Sequence, residues 1–275
     1  MLVYSKFTLN TPCIINLTTP KNIKSADLEL DENGMVKLTE ANSKKVEALI
    51  ADHNRYGTPS SRDWLKKHEN INTYTLRELV EFIRLVARDN STRTSNHNIY
   101  ILANYIFANI SITVFLNRIK KGDYSLVDEL ADLRHLGATR KEHSLASKVC
   151  RYIDDWYYGN DHFTINDSVV RVLLPYYYLY YGINFDKNID EISYVEFMKY
   201  FNELVEKVQI SESIKRHEID HIIWYVYRND SIRKAVVSAI VTESKNGEAN
   251  LYIGCPYIAK ETVVFPNINN NNVLF

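Results

Sequence analysis

Residues 134–149 read Arg-His-Leu-Gly-Ala-Thr-Arg-Lys-Glu-His-Ser-Leu-Ala-Ser-Lys-Val. This stretch begins with a glycine-containing connection and ends in a pattern that suits the start of a helix. A short helical pattern, 125–133, precedes it, and a second helix is predicted from about Glu142 to Asp155. Glycine is typical of a tight turn between two helices. The order of helix, connection and helix therefore predicts a helix-hairpin-helix arrangement near 125–155.

A lysine and an aspartate stand at an informative distance along the chain. Lys148 lies in the predicted second helix, and Asp167 follows 19 positions later, in the stretch Phe-Thr-Ile-Asn-Asp-Ser-Val-Val-Arg of 163–171. This layout resembles the helix-hairpin-helix DNA glycosylases, and within them the lyase-active 8-oxoguanine branch. In that branch a lysine at the start of the helix after the hairpin is the nucleophile, and an aspartate at the same spacing supports it. The resemblance implies a mostly α-helical, glycosylase-like fold with Lys148 as nucleophile and Asp167 as its partner.

The resemblance covers about Asp63 to Arg228, and its hairpin motif departs from the family pattern. Family members carry Gly-hydrophobic-Gly-Thr/Ser-Lys, whereas this chain has Ser-Leu-Ala-Ser-Lys at 144–148. The order of small, apolar, small, hydroxyl and lysine is kept, and both glycines are replaced. The divergent archaeal 8-oxoguanine glycosylases also depart from the glycine pattern, and uncharacterised bacterial proteins with a predicted glycosylase fold look similar over 144–171. The chain therefore resembles a divergent bacterial or archaeal-type branch.

The resemblance implies excision of a damaged or modified, 8-oxoguanine-like base, followed by strand cleavage. A lysine amine attacks C1′ of the deoxyribose and gives a Schiff base, which allows β-elimination. A free lysine has a pKa of about 10.4, and burial at a helix start disfavours its ammonium form. A nearby carboxylate positions the amine, moves protons and stabilises oxocarbenium charge. The chain is thus expected to be a bifunctional DNA glycosylase and AP lyase that needs no cofactor and no metal.

The same resemblance indicates which other residues contact DNA. Residues of the hairpin and of the following helix are expected to bind phosphates, and aromatic residues are expected to stack on the flipped base. Two structural alternatives stay open: Ser147 and Asp167 each suit a helix N-cap, and a stripe of tyrosines also suits a helical core. The predicted DNA contacts are Arg140, Lys141, Ser144, Ser147 and Arg151, and the predicted base pocket consists of Phe163, Tyr176, Tyr177 and Trp224.

Charge and composition favour an ordinary soluble protein with a local basic patch. The 275 residues carry a net charge of −1, with 24% charged and 45% hydrophobic residues. Between Arg118 and Arg151, eight basic residues oppose five acidic ones. Such a surplus suits the phosphate backbone of DNA, which dominates binding affinity. The expected partner is double-stranded DNA with a flipped base, and no obligate protein partner is evident.

Cysteine usage and hydropathy predict a cytoplasmic protein. Cys13, Cys150 and Cys255 form neither a CxxC pair nor an even framework, which is typical of a reduced compartment. The chain has no apolar run of about 18 residues, so no membrane span is expected. The start, Met1–Lys6, lacks the apolar core of a signal peptide.

The chain is expected to have three parts. Residues 1–40 form a β-rich extension, in which 28–30 and 36–38 flank the turn Asp-Glu-Asn-Gly. Residues 41–241 form the helical body, and 242–275 form a C-terminal β segment and a disordered tail. Periodicity within the body predicts an amphipathic helix behind the capping box of Thr75 and Glu78, one central buried helix over 99–119, and further helices near 46–57 and over 169–181, 194–208 and 218–227.

Two other functions compete with the glycosylase interpretation. The stretch His-Glu-Ile-Asp-His at 217–221 matches HExxH, which in zinc proteases places two histidine ligands on one helical face. Charged Arg216 and Asp220 and the lack of a clear third ligand make a zinc metalloprotease the weaker alternative. The other alternative is a non-catalytic, helical DNA- or partner-binding protein, which the replaced glycines and the near-neutral total charge favour.

Overall fold

The computed structural model describes residues 28–29, 36–53, 60–68, 70–90, 92–185, 187, 189, 191–208, 216–227, 242–243 and 249–250. These ranges are mostly α-helical, as the sequence predicts. The helices are α1 (Glu40–His53), α2 (Ser61–Lys67), α3 (Leu76–Asp89), α4 (Asn96–Asn104), α5 (Ile112–Lys120), α6 (Ser125–Ala131), α7 (His143–Trp156), α8 (Ser168–Tyr180), α9 (Tyr194–Val208) and α10 (Arg216–Tyr227).

The chain divides into two compact units. The first consists of 1–54, 168–192 and 199–275, and the second of 55–167 and 193–198. In the first unit, α10 packs against α1 and α8. In the second unit, α7 packs against α6, α3, α5 and α2, so that it is the most enclosed helix there. The three-part division predicted from the sequence stays a prediction, since most residues of both terminal parts lie outside the described ranges.

Helix α3 shows how the local sequence forms the core of the second unit. Thr75 Oγ1 accepts a hydrogen bond from the Glu78 amide, and the Glu78 side chain accepts one from the Thr75 amide, so the predicted capping box is confirmed. Behind this cap, apolar residues recur at helical spacing and place one face in the core. The fully buried members of that face are Leu79, Phe82, Ile83 and Val86.

The single central helix predicted over 99–119 is wrong. Helix α4 ends at Asn104, a π-helical turn covers Tyr105–Ile110, and α5 starts at Ile112. The break lies at Ser111, which has φ 70° and whose hydroxyl accepts a hydrogen bond from the Val114 amide. A positive φ at a residue with a side chain ends helical hydrogen bonding, and a serine N-cap restarts it. Apolar residues alone did not reveal this break, because both helices bury one face.

The other helical predictions agree closely with the structure. The helix predicted from about Glu142 to Asp155 is α7, and the helix predicted over 194–208 is α9. The pattern at 169–181 corresponds to α8, which accommodates Pro175. The connection between α6 and α7 is longer than the tight hairpin predicted, since it spans 132–142 and contains a 3₁₀ turn at Arg134–Leu136.

The predicted β segments fall mostly outside the described residues. Of the N-terminal hairpin, 30–35 lie outside them, while the Lys37 amide donates a hydrogen bond to the Glu29 carbonyl at 2.9 Å. Near the C-terminus, β1 (Thr242–Glu243) pairs antiparallel with β2 (Ala249–Asn250). The strands predicted at 251–253 and 262–265, and the tail at 267–272, lie outside the described residues. Among the described helices none alone could span a membrane; only α4 with its π-helical continuation, taken together with α5 at a 94° bend, passes by length and composition.

Candidate functional site

Helix α7 carries Lys148 and places it in the second turn. The helix starts at His143, with Glu142 at the N-cap position, and the Ala146 amide already donates to the Glu142 carbonyl at 2.9 Å. The stretch 144–148, predicted as a hairpin motif at a helix start, therefore lies inside the helix. Ser147 is likewise an interior residue of α7 and not its N-cap. Phosphate binding by free backbone amides, as the family's glycine motif implies, is therefore restricted to the first turn of α7.

Lys148 and Asp167 lie close together, as the resemblance implies. Lys148 Nζ lies 3.6 Å from Asp167 Oδ2, and the two side chains are only 4% and 8% exposed. Asp167 directly precedes α8, which starts at Ser168, so it also occupies the position expected of an N-cap. Moving an ammonium and a carboxylate out of water is costly unless each compensates the other. The two groups thus form an ion pair in a desolvated place, at a distance longer than that of a hydrogen bond.

Ser144 is a second partner of the lysine amine. Lys148 Nζ donates a hydrogen bond to Ser144 Oγ at 3.0 Å, one helical turn away. The predicted role of Ser144 was contact with DNA phosphate, and the structure shows its hydroxyl bound to the candidate nucleophile. Sequence reasoning missed this interaction, although the i, i+4 spacing of 144 and 148 was the signal for it.

Ser147 connects α7 to the segment that carries Asp167. Its side chain is fully buried; Ser147 Oγ accepts a hydrogen bond from the Asn166 amide at 3.0 Å and donates one to the Ser144 carbonyl at 3.2 Å. Asn166 is the residue before Asp167, so this bond fixes where the carboxylate stands relative to α7. The structure therefore gives Ser147 a positioning role inside the protein.

The stretch that leads to Asp167 is also anchored from α9. Tyr194 Oη accepts a hydrogen bond from the Thr164 amide at 3.1 Å and donates one to the Thr164 carbonyl at 2.7 Å. Asp128 of α6 accepts hydrogen bonds from the Tyr194 and Val195 amides at the start of α9. Phe163, predicted for the base pocket, is 1% exposed and packs edge-on against Tyr124.

The basic residues of the connection 132–142 are engaged by neighbouring acids. Lys141 Nζ lies 3.2 Å from Asp132 Oδ2, and Arg134 forms a two-pronged contact with the same carboxylate. Hydrogen bonds from Arg134, and secondarily the contact with Lys141, hold the pKa of Asp132 well below its usual range. Arg140 bonds to Glu142 at 2.9 Å and to the Arg93 carbonyl at 2.8 Å. Both predicted phosphate contacts, Arg140 and Lys141, are exposed but partly neutralised.

Arg151 lies one turn beyond Lys148 and is buried. Its guanidinium carbon is 4.9 Å from the centre of the Tyr152 ring, and its Nη2 is 3.8 Å from Asp155 Oδ2. Within the described part of the chain, its Nε has no hydrogen-bond partner. Arg151 is 4% exposed, about as buried as Lys148, and its predicted phosphate contact stays a prediction.

The remaining base-pocket candidates belong to the first unit. Tyr177 is buried, and its hydroxyl donates a hydrogen bond to the Val36 carbonyl at 2.8 Å, which is a core role. Trp224 is half-buried on α10. Tyr176 is part of α8, but its side chain lies outside the described residues. A base pocket formed by these aromatics stays a prediction.

The HExxH residues lie on α10 and contact α1. Glu218 Oε2 accepts a hydrogen bond from Ser43 Oγ at 2.7 Å, and His221 Nδ1 lies 2.5 Å from Glu47 Oε1. The rings of His217 and His221 are 5.2 Å apart between centroids. Among the described residues, no three His, Cys, Asp or Glu side chains are arranged to hold a metal ion. The motif residues thus form polar contacts between two helices, an arrangement that does not supply a zinc ligand set.

Comparison with known proteins leaves the family open. No protein-family model, no curated protein and no solved structure matches this chain.

Proposed function

We propose that this protein is a DNA glycosylase and AP lyase that uses Lys148 as its nucleophile. The observation that carries the proposal is the buried cluster of Lys148 Nζ with Asp167 Oδ2 at 3.6 Å and Ser144 Oγ at 3.0 Å. A nucleophile beside a carboxylate that can take its proton is the arrangement that covalent catalysis requires. The substrate class is duplex DNA with a damaged or modified, 8-oxoguanine-like base, and the setting is the cytoplasm.

The reaction needs one amine and one carboxylate. Asp167 accepts the proton that Lys148 must lose before it attacks. A bond then forms between Nζ and C1′ while the glycosidic bond breaks, and the departing base takes the electron pair and a proton. Ring opening gives a protonated Schiff base, and loss of a proton from C2′ expels the 3′ phosphate. None of these steps is a net oxidation or reduction, so the reaction needs no oxidant or reductant besides the amine and the carboxylate.

Burial of the pair distinguishes it from an exposed surface ion pair. An exposed pair of this kind contributes roughly 0–1 kcal/mol to stability and has no reason to be desolvated. Around a side chain that is 4% exposed, water is scarce, so the carboxylate stabilises developing positive charge on the sugar more strongly than it would in water. Ser144 stands where the family motif has its first glycine. Its presence is consistent with a catalytic Lys148, because the Ser144 hydroxyl accepts a hydrogen bond from the lysine amine.

Borohydride trapping tests the proposal. Wild type, Lys148→Gln and Lys141→Gln are incubated with duplexes that carry oxidised, deaminated, alkylated or abasic sites, and the reduced covalent adducts are counted. We expect an adduct with wild type and with Lys141→Gln, since Lys141 is an exposed lysine paired with Asp132. We expect none with Lys148→Gln. The N-terminal amine, which also reacts with abasic sites, is unchanged in all three proteins and serves as the internal background.

The outcomes separate the competing functions. An adduct that depends on Lys148 supports the lyase and begins to identify the base. If no duplex, the abasic one included, gives an adduct above background, Lys148 is not a nucleophile, and a monofunctional glycosylase or a binding protein remains. Binding of the same duplexes without any base release points to the non-catalytic alternative.

We expect Ser144→Ala to slow adduct formation by about tenfold without abolishing it. The hydroxyl donates nothing to the chemistry; it accepts a hydrogen bond from Nζ and thereby orients the amine, and hydrogen bonds to charged groups contribute about 1.5–3 kcal/mol. Single-turnover trapping as a function of pH measures the effect. Ser144→Thr keeps a hydroxyl at this position and should recover most of the rate. Equal rates for wild type and Ser144→Ala at every pH would exclude this role.

A further inference from the structure

A groove in the second unit has aromatic walls and a basic rim. It lies between α2 and the C-terminal end of α7, has a volume of about 380 Å³, and is lined by Leu65, Lys66, Trp156 and Tyr157. This volume falls within the range of small-molecule and cofactor sites. The Trp156 ring stacks on the Tyr152 ring, with centroids 4.0 Å apart and planes within 17°. Trp156 is therefore held as a fixed, flat surface at the edge of the groove.

The cations beside the groove form no direct ion pair within the described ranges, although Lys66 and Arg62 are close enough to Asp63 to contribute to its lowered pKa, after the hydrogen bonds from Ser60. Arg62, Lys66 and Lys67 are exposed, and within the described ranges none of them has an ion-pair partner. The acid of the same helix, Asp63, is used at the helix start, where it accepts hydrogen bonds from the Ser60 amide and hydroxyl. The Arg62 guanidinium carbon lies 5.9 Å from the Trp156 ring centre, within the distance of a cation–π contact. The groove thus combines a ring surface with exposed positive charge.

We propose that this groove binds one nucleotide of an unpaired DNA strand, with the base against Trp156 and Tyr157 and the adjoining phosphate between Lys66 and Arg62. Aromatic rings accept any base, and lysines that follow the backbone add affinity without sequence preference. A purely apolar ligand would not account for the exposed charges of Lys66 and Arg62, and an inorganic anion would not account for the stacked rings. Lys148 lies eight residues earlier on α7, about 12 Å along the helix, so this groove is a separate site.

The inference does not depend on the chemistry of Lys148, and its test is made in the Lys148→Gln protein. Binding of a short, unmodified, labelled single strand is measured by fluorescence anisotropy over a series of salt concentrations. We expect Trp156→Ala to weaken binding about tenfold. Trp156→Phe should retain most of the affinity, and it also controls for loss of the packing against Tyr152. Thermal unfolding of each variant shows whether the fold persists.

A charge-matched pair of variants tests the phosphate contact. Lys66→Gln should lower the slope of log Kd against log salt by about 0.7, the value for one phosphate contact on a single strand. Lys207→Gln, which removes an exposed lysine of α9 in the other unit, should leave the slope unchanged. The proposal would be overturned if Lys66→Gln and Lys207→Gln lowered the salt slope equally. It would also be overturned if Trp156→Ala bound the strand with unchanged affinity. Binding of a free mononucleotide as tightly as the strand would show that the groove is a nucleotide site and not a strand site.

Discussion

We expect Asp167→Asn to lower the rate of base excision by roughly 10²–10⁴-fold, the usual contribution of a positioned acid or base. The substitution removes the charge and the proton acceptor while it leaves the shape of the side chain nearly unchanged. Lys148 then loses the carboxylate that lies 3.6 Å from its amine. Single-turnover excision, measured on the duplex that gives the strongest adduct, provides the rate.

The choice of asparagine separates catalysis from helix capping. Asp167 directly precedes α8, and aspartate and asparagine are about equally good N-caps. If Asp167 serves only as a cap, Asp167→Asn retains both stability and activity. A large loss of rate in an Asp167→Asn protein that is still folded at the assay temperature is expected only when the charge itself matters. Asp167→Ala removes the helix cap and the charge together, so it is the less informative variant. It gives the lower limit for the excision rate.

Duplex binding provides the control for this experiment. Asp167→Asn removes one negative charge near the DNA, so affinity for an unmodified duplex should stay the same or increase slightly. A variant that binds duplex as wild type does, and still excises slowly, has lost a chemical step. If affinity falls in parallel with rate, the carboxylate supports the structure of the binding surface instead.

The site could be predicted from the sequence only where residues are close along the chain or fixed by a helix. The resemblance to the glycosylases implied that Lys148 and Asp167 meet, and the two side chains lie 3.6 Å apart in the structure. The Ser144–Lys148 contact was equally local, but the family pattern directed attention to phosphate binding instead. In contrast, Ser147 accepts a hydrogen bond from the amide of Asn166, which belongs to another segment. No pattern within 144–148 contains that information.

The fold shows the same limit. Capping at Thr75 and the period of α3 are local signals, and both were read correctly. Two helical segments meet at a 94° bend at Ser111, and α4 and α5 each bury an apolar face. The apolar pattern in the sequence therefore continues across Ser111 although the direction of the chain changes there. One backbone angle at a serine decides between one helix and two, and serine carries no strong signal for a positive φ.

A double-mutant cycle on Lys148 and Asp167 should show a coupling of about 1–3 kcal/mol in the free energy of unfolding. Each single change, Lys148→Met or Asp167→Asn, removes the opposite charge from its partner in a place where both side chains are less than a tenth exposed. Breaking such a pair costs about 3–5 kcal/mol when one charge stays buried, whereas replacing both members is often neutral or stabilising. Urea unfolding of the four proteins measures the cycle.

The cycle and the excision rates together decide what the pair is for. In a purely structural pair, the double variant unfolds near wild-type stability and nothing else changes. In a catalytic pair, the double variant is as stable as wild type or more so, and yet excision and adduct formation are lost, because the desolvated lysine exists for the reaction and not for the fold. Stability is then lower in the active protein than in the inactive one, which is the relation expected where a charged group is buried for its chemistry. A coupling near zero would mean that the 3.6 Å approach of the two groups contributes nothing in solution, and the nucleophile would have to be sought elsewhere.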